Sequence, residues 1–303
     1  MKLLGNNDCM KNALKAGLVI PAFNTPYLPI MEPVVRALRD TGAFGFIAVA
    51  RPEWMKFQAR SMKAVYEEYQ RVKDERYVRL HLDHVPVIDE DGLTVDYQAI
   101  IQDALQLGYG SVMVDGSRLS LAGNIEATKK VTAMAHAAGI PVEGELGAVM
   151  GHEAGPLPPY EELFASGKGF TDPGEAKRFV KETDVDWLSV AIGNIHGAIS
   201  EATRDAKKVQ ARLNLKHLER IREACGVPLV LHGGSGIQKE FVLGAVKLGI
   251  AKINVGTAIR QPYEVASKES VKAAQQAAYE ATVQVLTEDL ELVGSAKRIN
   301  PQH

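Results

Sequence analysis

Short apolar runs alternate with longer amphipathic stretches along the whole chain. The runs are Leu18–Asn24, Phe44–Ala50, Val78–His84, Ser111–Ser117, Pro141–Gly147, Trp187–Gly193, Pro228–Gly234 and Lys252–Thr257. Each is rich in Val, Ile, Leu or Ala and ends in polar residues or glycine, the signature of a strand buried on both faces of a parallel sheet. Between them the spacing predicts helices over Ile30–Asp40, Trp54–Lys73, Tyr97–Leu107, Asn124–Ala138, Pro173–Glu182, Leu215–Ala224 and Lys239–Lys247. The runs recur every 33 residues or about that, the length of one βα unit, and eight such units close a barrel. A doubly wound open sheet is the rival arrangement, but no G-x-G-x-x-G follows the first run.

The expected fold is therefore α/β, a (β/α)8 TIM barrel forming one domain over residues 1–303. The Ala-, Gln- and Glu-rich tail from Pro262 to Val293 is too long for one closing helix. It predicts the last barrel helix plus one more, a C-terminal helical extension over 262–298. Two connections are long, Ala148–Thr171 and Ala198–Asn214, and both follow strands at the upper rim. Long loops there are commonly lids or binding loops, although a solvated charged loop also explains Ala198–Asn214.

Composition narrows the classes without choosing a function. A net charge of −2 predicts no general attraction to nucleic acid or to an anionic membrane, so any anion site must be local. Only Cys9 and Cys225 are present, with no spacing for a metal knuckle or a redox pair, which favours a reducing, cytoplasmic setting. Met1 to Asn7 lacks the apolar core of a signal peptide, and no run is long enough to predict a transmembrane helix.

Polar residues collect where the apolar runs end: Asn24, Asp83 and His84, Asp115 and Ser117, Glu143 and Glu145, Asn194 and His196, His232, and Asn254 to Thr257. Singly, each has a bland explanation; a lone histidine after a strand is usually just hydrogen-bonded. Together they would bury much polarity at the catalytic end of a barrel, which is costly unless the groups pair or bind a ligand. Three histidines, His84, His196 and His232, come from the ends of runs three, six and seven. Three imidazoles with an open fourth position make a catalytic zinc site. His136, His217 and His303 lie in helical or terminal contexts and are expected to be solvated. The glycine-rich turn Leu231–Gly236 follows run seven and Asn254–Thr257 follows run eight. Loops there often hold phosphate through bare amides, although a plain tight turn is the simpler reading.

At these residues the chain resembles the class II fructose- and tagatose-bisphosphate aldolases. The matching stretches are Ala22–Asn24, Leu80–His84, Ser111–Ser117, Val142–Gly147, Phe170–Pro173, Gly193–Gly197, Leu231–Gly236, Lys252–Thr257 and Gly294–Lys297, in family order. The resemblance implies aldol cleavage or addition on a ketose phosphate through an enediolate of dihydroxyacetone phosphate stabilised by zinc. It implies zinc on His84, His196 and His232, with Glu145 nearby, and Asp83 as the acid/base at the alkoxide. Glu153 would exchange the proton at the nucleophilic carbon; Asp115, Ser117 and Glu143 would support the site. Phosphate would be held near Asn24, Gly197, Gly233, Ser235, Asn254, Val255 and Thr257, with sodium or potassium against nearby carbonyls. A homodimer or homotetramer is implied as well. Lys252, at the start of run eight, is read as structural and not as a Schiff-base lysine.

Departures from the family pattern fall on one side of the expected site. Val85-Pro86 follows the Asp-His pair where the family has glycine. Arg51 stands near the end of run two where it has serine, and Ala258 replaces an acidic residue. The basic segment that relatives use near the second phosphate is not recognisable around Pro262–Lys268, and Ala198–Asn214 is longer than usual. The leading expectation is a ketose-phosphate aldolase. An alternative keeps the metal chemistry on an acidic or shorter aldehyde, with Arg51 either entering the site or turning outward to Glu53. A third reading is a sugar-phosphate-binding protein without chemistry.

Overall fold

The computed structural model describes residues 3–149, 160–195 and 211–301. Eight strands, β1 (Ile20–Asn24), β2 (Gly45–Val49), β3 (Val78–Pro86), β4 (Val112–Asp115), β5 (Val142–Leu146), β6 (Trp187–Val190), β7 (Leu229–Leu231) and β8 (Ile250–Val255), pair in parallel in sequence order. β8 returns to β1 and closes the barrel. Every residue of β2, β5 and β8 is buried, as the apolar runs require: one face packs on helices, the other fills the barrel. No helix among the described residues is long and apolar enough to cross a membrane.

The floor of the barrel is apolar. Phe44, Phe46 and Trp187 fill its lower end, with Phe46 stacked on Trp187 at 6.0 Å. A helix over Asn6–Ala16, which the alternating pattern does not announce, closes that end with Cys9, Met10 and Ala13. Asn6 donates to the Leu80 carbonyl and the Ser111 hydroxyl, and Trp187 donates to Asn7.

Three expected elements differ in extent. The helix expected over Trp54–Lys73 is two helices, Arg51–Met55 and Met62–Val72. Arg60 adopts φ 67°, and the Ser61 side chain accepts from Ala64 N to start the second helix, a local cap that outweighs the helical period. The helix expected from Asn124 begins at Leu121, because Ser120 caps it. Beyond β8 the closing helix is Thr257–Ser267, with Pro262 inside it, followed by Val271–Gln284 packed against Met31–Thr41. The tail thus holds one barrel helix and one more, but the barrel helix starts before the expected boundary at 262.

β3 carries a bulge. Leu82 pairs with Val112 and Val85 with Val114, so β3 has one residue more than β4 over this stretch, and His84 adopts φ 27°. Successive strand residues normally face opposite sides. The extra residue breaks that alternation and lets adjacent Asp83 and His84 both turn toward the barrel axis.

Candidate active site

The upper end of the barrel is as charged as the floor is apolar. Asp83 on β3, 1% exposed, meets asparagines from β1 and β8. Asn254 donates to both of its carboxylate oxygens at 3.0 and 2.9 Å, and Asn24 donates to Oδ2 at 2.9 Å. Both asparagines, expected to contact substrate or phosphate, thus orient the Asp83 carboxylate. Lys252 is fully buried, with Nζ 2.9 Å from Glu143 Oε2 and 3.8 Å from Asp83 Oδ1. Burial opposes ionisation of Asp83, but the charges of His84 and Lys252 outweigh it and hold the carboxyl well below its usual range. Asp83 is thus an oriented base at rest.

Glu143 and Glu145 sit two apart on β5 and share its inward face. Gly144 between them packs outward so closely that a Cβ would lie 2.9 Å from Phe179. Glu143 accepts from His232 Nε2 at 2.8 Å and from Lys252. Burial raises its pKa, yet Lys252 and His232 bring it down to about 2. Asp115 lies 3.3 Å from His84 Nδ1 and accepts from the Ser117 amide and hydroxyl.

His84 Nε2 and His232 Nδ1 converge at 2.7 Å. The far nitrogen of each ring faces a carboxylate, Asp115 for His84 and Glu143 for His232, so the lone pairs at the near nitrogens point at one spot. Without a metal, a hydrogen bond between the two rings needs a proton at that spot. Burial disfavours charge on His84, but Asp83, the bond to Asp115 and Glu145 push its pKa up to about 10. Burial and the charge of His84 push His232 down to about 4. Glu145 Oε2 lies 3.4 Å from His232 Nδ1, buried and without a hydrogen-bond partner. Burial and Asp115 raise its pKa well above the carboxylate range.

This donor set fits a divalent cation. Two imidazole nitrogens converge, each oriented through its other nitrogen by a carboxylate, as metal-binding histidines commonly are. A third donor, Glu145 Oε2, lacks a hydrogen-bond partner beside them. Asp83, His84 and His232 form one cluster with metal-binding spacing, and His84, Asp115 and Glu145 form another. His196, the third expected ligand, lies outside the described residues, as do Glu153 and Gly197.

On the expected phosphate side, Gly233 adopts φ 67° and Ser235 Oγ accepts from Ala258 N at 3.3 Å, next to Thr257 at the start of its helix. The Gly234 amide donates to the Asn254 carbonyl, tying the loop after β7 to the end of β8, beside Val255. On the other side of His84, an open cavity of about 170 Å3 lies between the segments after β2, β3, β4 and β5. Arg51 follows neither course open to it in the sequence. It does not line this cavity and does not pair with Glu53. Its guanidinium reaches Asp89 at 3.1 Å, while Glu53 accepts from Ala50 N. Arg51 also begins a helix and is not in extended chain before Pro52.

Sequence reasoning missed several parts of this centre. His81 is fully buried 3.6 Å from both Asp83 and Glu143 and 2.9 Å from Ser111 Oγ. Glu53 is buried close to Asn24, its pKa raised well above normal by burial. A charged residue inside an apolar strand, as Lys252 is, was the available signal for this layer. Two histidines expected to be solvated are bonded: His217 to the Thr171 carbonyl at 2.7 Å and His136 to Asp186 at 2.8 Å.

The family model for class II fructose-bisphosphate aldolase matches residues 6–298 of this chain. The chain belongs to that family. A fructose-bisphosphate aldolase of Staphylococcus epidermidis is 29% identical over 90% of this chain and 86% of its own length. A probable fructose-bisphosphate aldolase of Bacillus subtilis is 30% identical over 85% and 82%. Among solved structures, the YdjI aldolase of Escherichia coli K12 matches with a TM-score of 0.75 at 27% identity, covering 97% of this chain and all of that one. A putative fructose-1,6-bisphosphate aldolase of Coccidioides immitis matches at 0.74 and 25% identity, over 95% and 96%. Membership makes the chain an aldolase, a carbon–carbon lyase of a family that is generally metal-dependent and acts on phosphorylated ketoses.

Proposed function

We propose that this aldolase uses one divalent ion, zinc in the first instance, to cleave a ketose phosphate into dihydroxyacetone phosphate and an aldehyde. The observation that carries the reading is the convergence of His84 Nε2 and His232 Nδ1, each backed by a carboxylate. His84 and His232 would hold the ion, with His196 as third ligand and Glu145 beside it. A divalent ion there supplies the Lewis acid that an enediolate needs.

The remaining work falls to the chain. Asp83, ionised and fixed by Asn24 and Asn254, takes the hydroxyl proton of the ketose as the carbon–carbon bond breaks, and returns it in synthesis. Lys252 and Glu143 keep Asp83 and His232 in register from below. Glu153 serves as the base that exchanges the proton on dihydroxyacetone phosphate, and the loops carrying Gly233, Ser235 and Val255–Thr257 hold the phosphate. A monovalent cation, sodium or potassium, would lie against the carbonyls near Gly233.

A coupled assay for dihydroxyacetone phosphate release, run over a panel of ketose phosphates, tests the reading. Release should stop when the metal is chelated and return with zinc or another divalent ion. Full activity in metal-free protein would overturn it.

A further inference from the structure

The cavity beside His84 is lined by none of the residues assigned above to phosphate, which leaves it for the departing or incoming aldehyde in the aldolase reading. Its lining includes Ala50, Pro86, Glu90, Ser117, Arg118 and Val149. The charges around it are accounted for one by one. Glu90 is held by Lys56 at 2.6 Å, and Lys56 also reaches Asp91 at 3.4 Å. Asp115 is engaged by His84 and Ser117. Arg51 is spent on Asp89, whose other carboxylate oxygen accepts from the amides of Asp91 and Leu93. Arg118 alone among the cavity's charged residues makes no hydrogen bond or ion pair with the described residues.

Its backbone is nevertheless rigid. Asp115 accepts from both the amide and the hydroxyl of Ser117, the Leu119 amide donates to the Gly116 carbonyl, and Ser120 caps the next helix. Arg118 therefore stands at the tip of a turn held by hydrogen bonds, with its side chain exposed. A guanidinium presented this way offers a planar fork to a carboxylate or phosphate at little cost in backbone order.

Taking the aldolase reading as its basis, we propose that Arg118 is the specificity-determining residue of the aldehyde half of the site, selecting acceptors with an anionic substituent remote from the carbonyl. Arg51 has the same charge but serves the wall: it holds the 87–95 segment through Asp89.

The test measures aldol addition to dihydroxyacetone phosphate with three acceptors: glyceraldehyde, its 3-phosphate, and succinic semialdehyde. In Arg118→Gln, the ratio of kcat/KM for an anionic acceptor to that for glyceraldehyde should fall by about tenfold to hundredfold, mainly through KM. Arg118→Lys should recover part of the ratio. The two anionic aldehydes separate the sources: whichever of phosphate or carboxylate shows the larger fall is the group Arg118 reads. An unchanged ratio for both overturns the proposal. Deuterium exchange on dihydroxyacetone phosphate by the unaltered protein, without any aldehyde, keeps the two readings apart. Exchange with an unchanged ratio sinks only the role of Arg118; absent exchange sinks the aldolase reading and the role with it.

Discussion

The centre of the barrel mouth and its rim between β2 and β5 are built on opposite plans. At the centre the side chains lean on one another: Lys252 on Glu143, Glu143 on His232, His232 on His84, His84 on Asp115, and Asn254 with Asn24 on Asp83, with Glu145 Oε2 left over. At the rim the charges form separate short links, Arg51 to Asp89 and Lys56 to Glu90, and Arg118 makes no pair among the described residues. An interlocked buried network tolerates few changes, because losing one member leaves its neighbour charged and unpaired. Separate rim pairs can change one at a time. The departures from the family pattern at Val85-Pro86 and near Arg51 fall on the rim side. On the proposed reading, reaction class is written in the centre and acceptor choice in the rim.

The sharpest way to break this contrast is to remove the centre's cation. Lys252→Met leaves Glu143 buried against an apolar neighbour and should lower unfolding stability in urea by about 3–5 kcal/mol. Adding Glu143→Gln should restore part of it, showing coupling where rim pairs show none. A loss below about 1 kcal/mol would mean that the centre is not interlocked.

Asp83→Ala comes next. The substitution removes a base held by two amides, so carbon–carbon cleavage should slow by roughly a hundredfold or more. Metal content should be retained, since His84 and His232 keep their own carboxylates. Near-normal cleavage would move the acid/base role to another group.

The shared position between His84 and His232 gives a pH prediction. In the metal-free protein burial disfavours charge on His84, but Asp83, Asp115 and Glu145 push its pKa up to about 10, above its ordinary value. Its charged form therefore contributes stability that is fully present below about pH 6.5 and is lost as pH rises through about 10. A cation bound to these nitrogens must displace that proton. Metal affinity should then climb by about tenfold per pH unit between pH 7 and 9, with close to one proton released per ion in calorimetry. Affinity that stays flat with pH would show that His84 is not the proton-bearing ligand.

How much of this was legible in the sequence differs between the two regions. Eight apolar runs spaced like βα units predict the closed barrel, since strands buried on both faces need helices outside them and no G-x-G-x-x-G supports the open-sheet rival. Asp83, His84, Glu143, Glu145 and His232 stand out because polar residues ending apolar strands need a reason to be buried. What the chain hides is direction. The bulge that turns both Asp83 and His84 inward is a backbone event with no residue of its own, the Val85-Pro86 pair being its nearest trace. Lys252 looked like a blemish in a strand because its partners, Glu143 and Asp83, are 109 and 169 positions away. At the rim, Arg51 was open to two readings, and Asp89, the partner that decides its orientation, comes from the next loop.

That partner sets the smallest expected effect. Arg51 is 18% exposed and its bond to Asp89 is a single contact, so Arg51→Ser should cost about 1 kcal/mol, near the upper end for a pair open to solvent. Asp89 keeps its bonds from the amides of Asp91 and Leu93, so the 87–95 segment should loosen without unfolding. Because that segment walls the aldehyde cavity through Ile88 and Glu90, the variant should lose kcat/KM modestly and about equally for charged and neutral aldehydes. Equal losses here, set against unequal ones in Arg118→Gln, would separate a residue that shapes the cavity from one that reads its contents. Should Arg51→Ser instead discriminate by charge, Arg51 must leave Asp89 when substrate binds, and the division between wall and reader at the rim would fail.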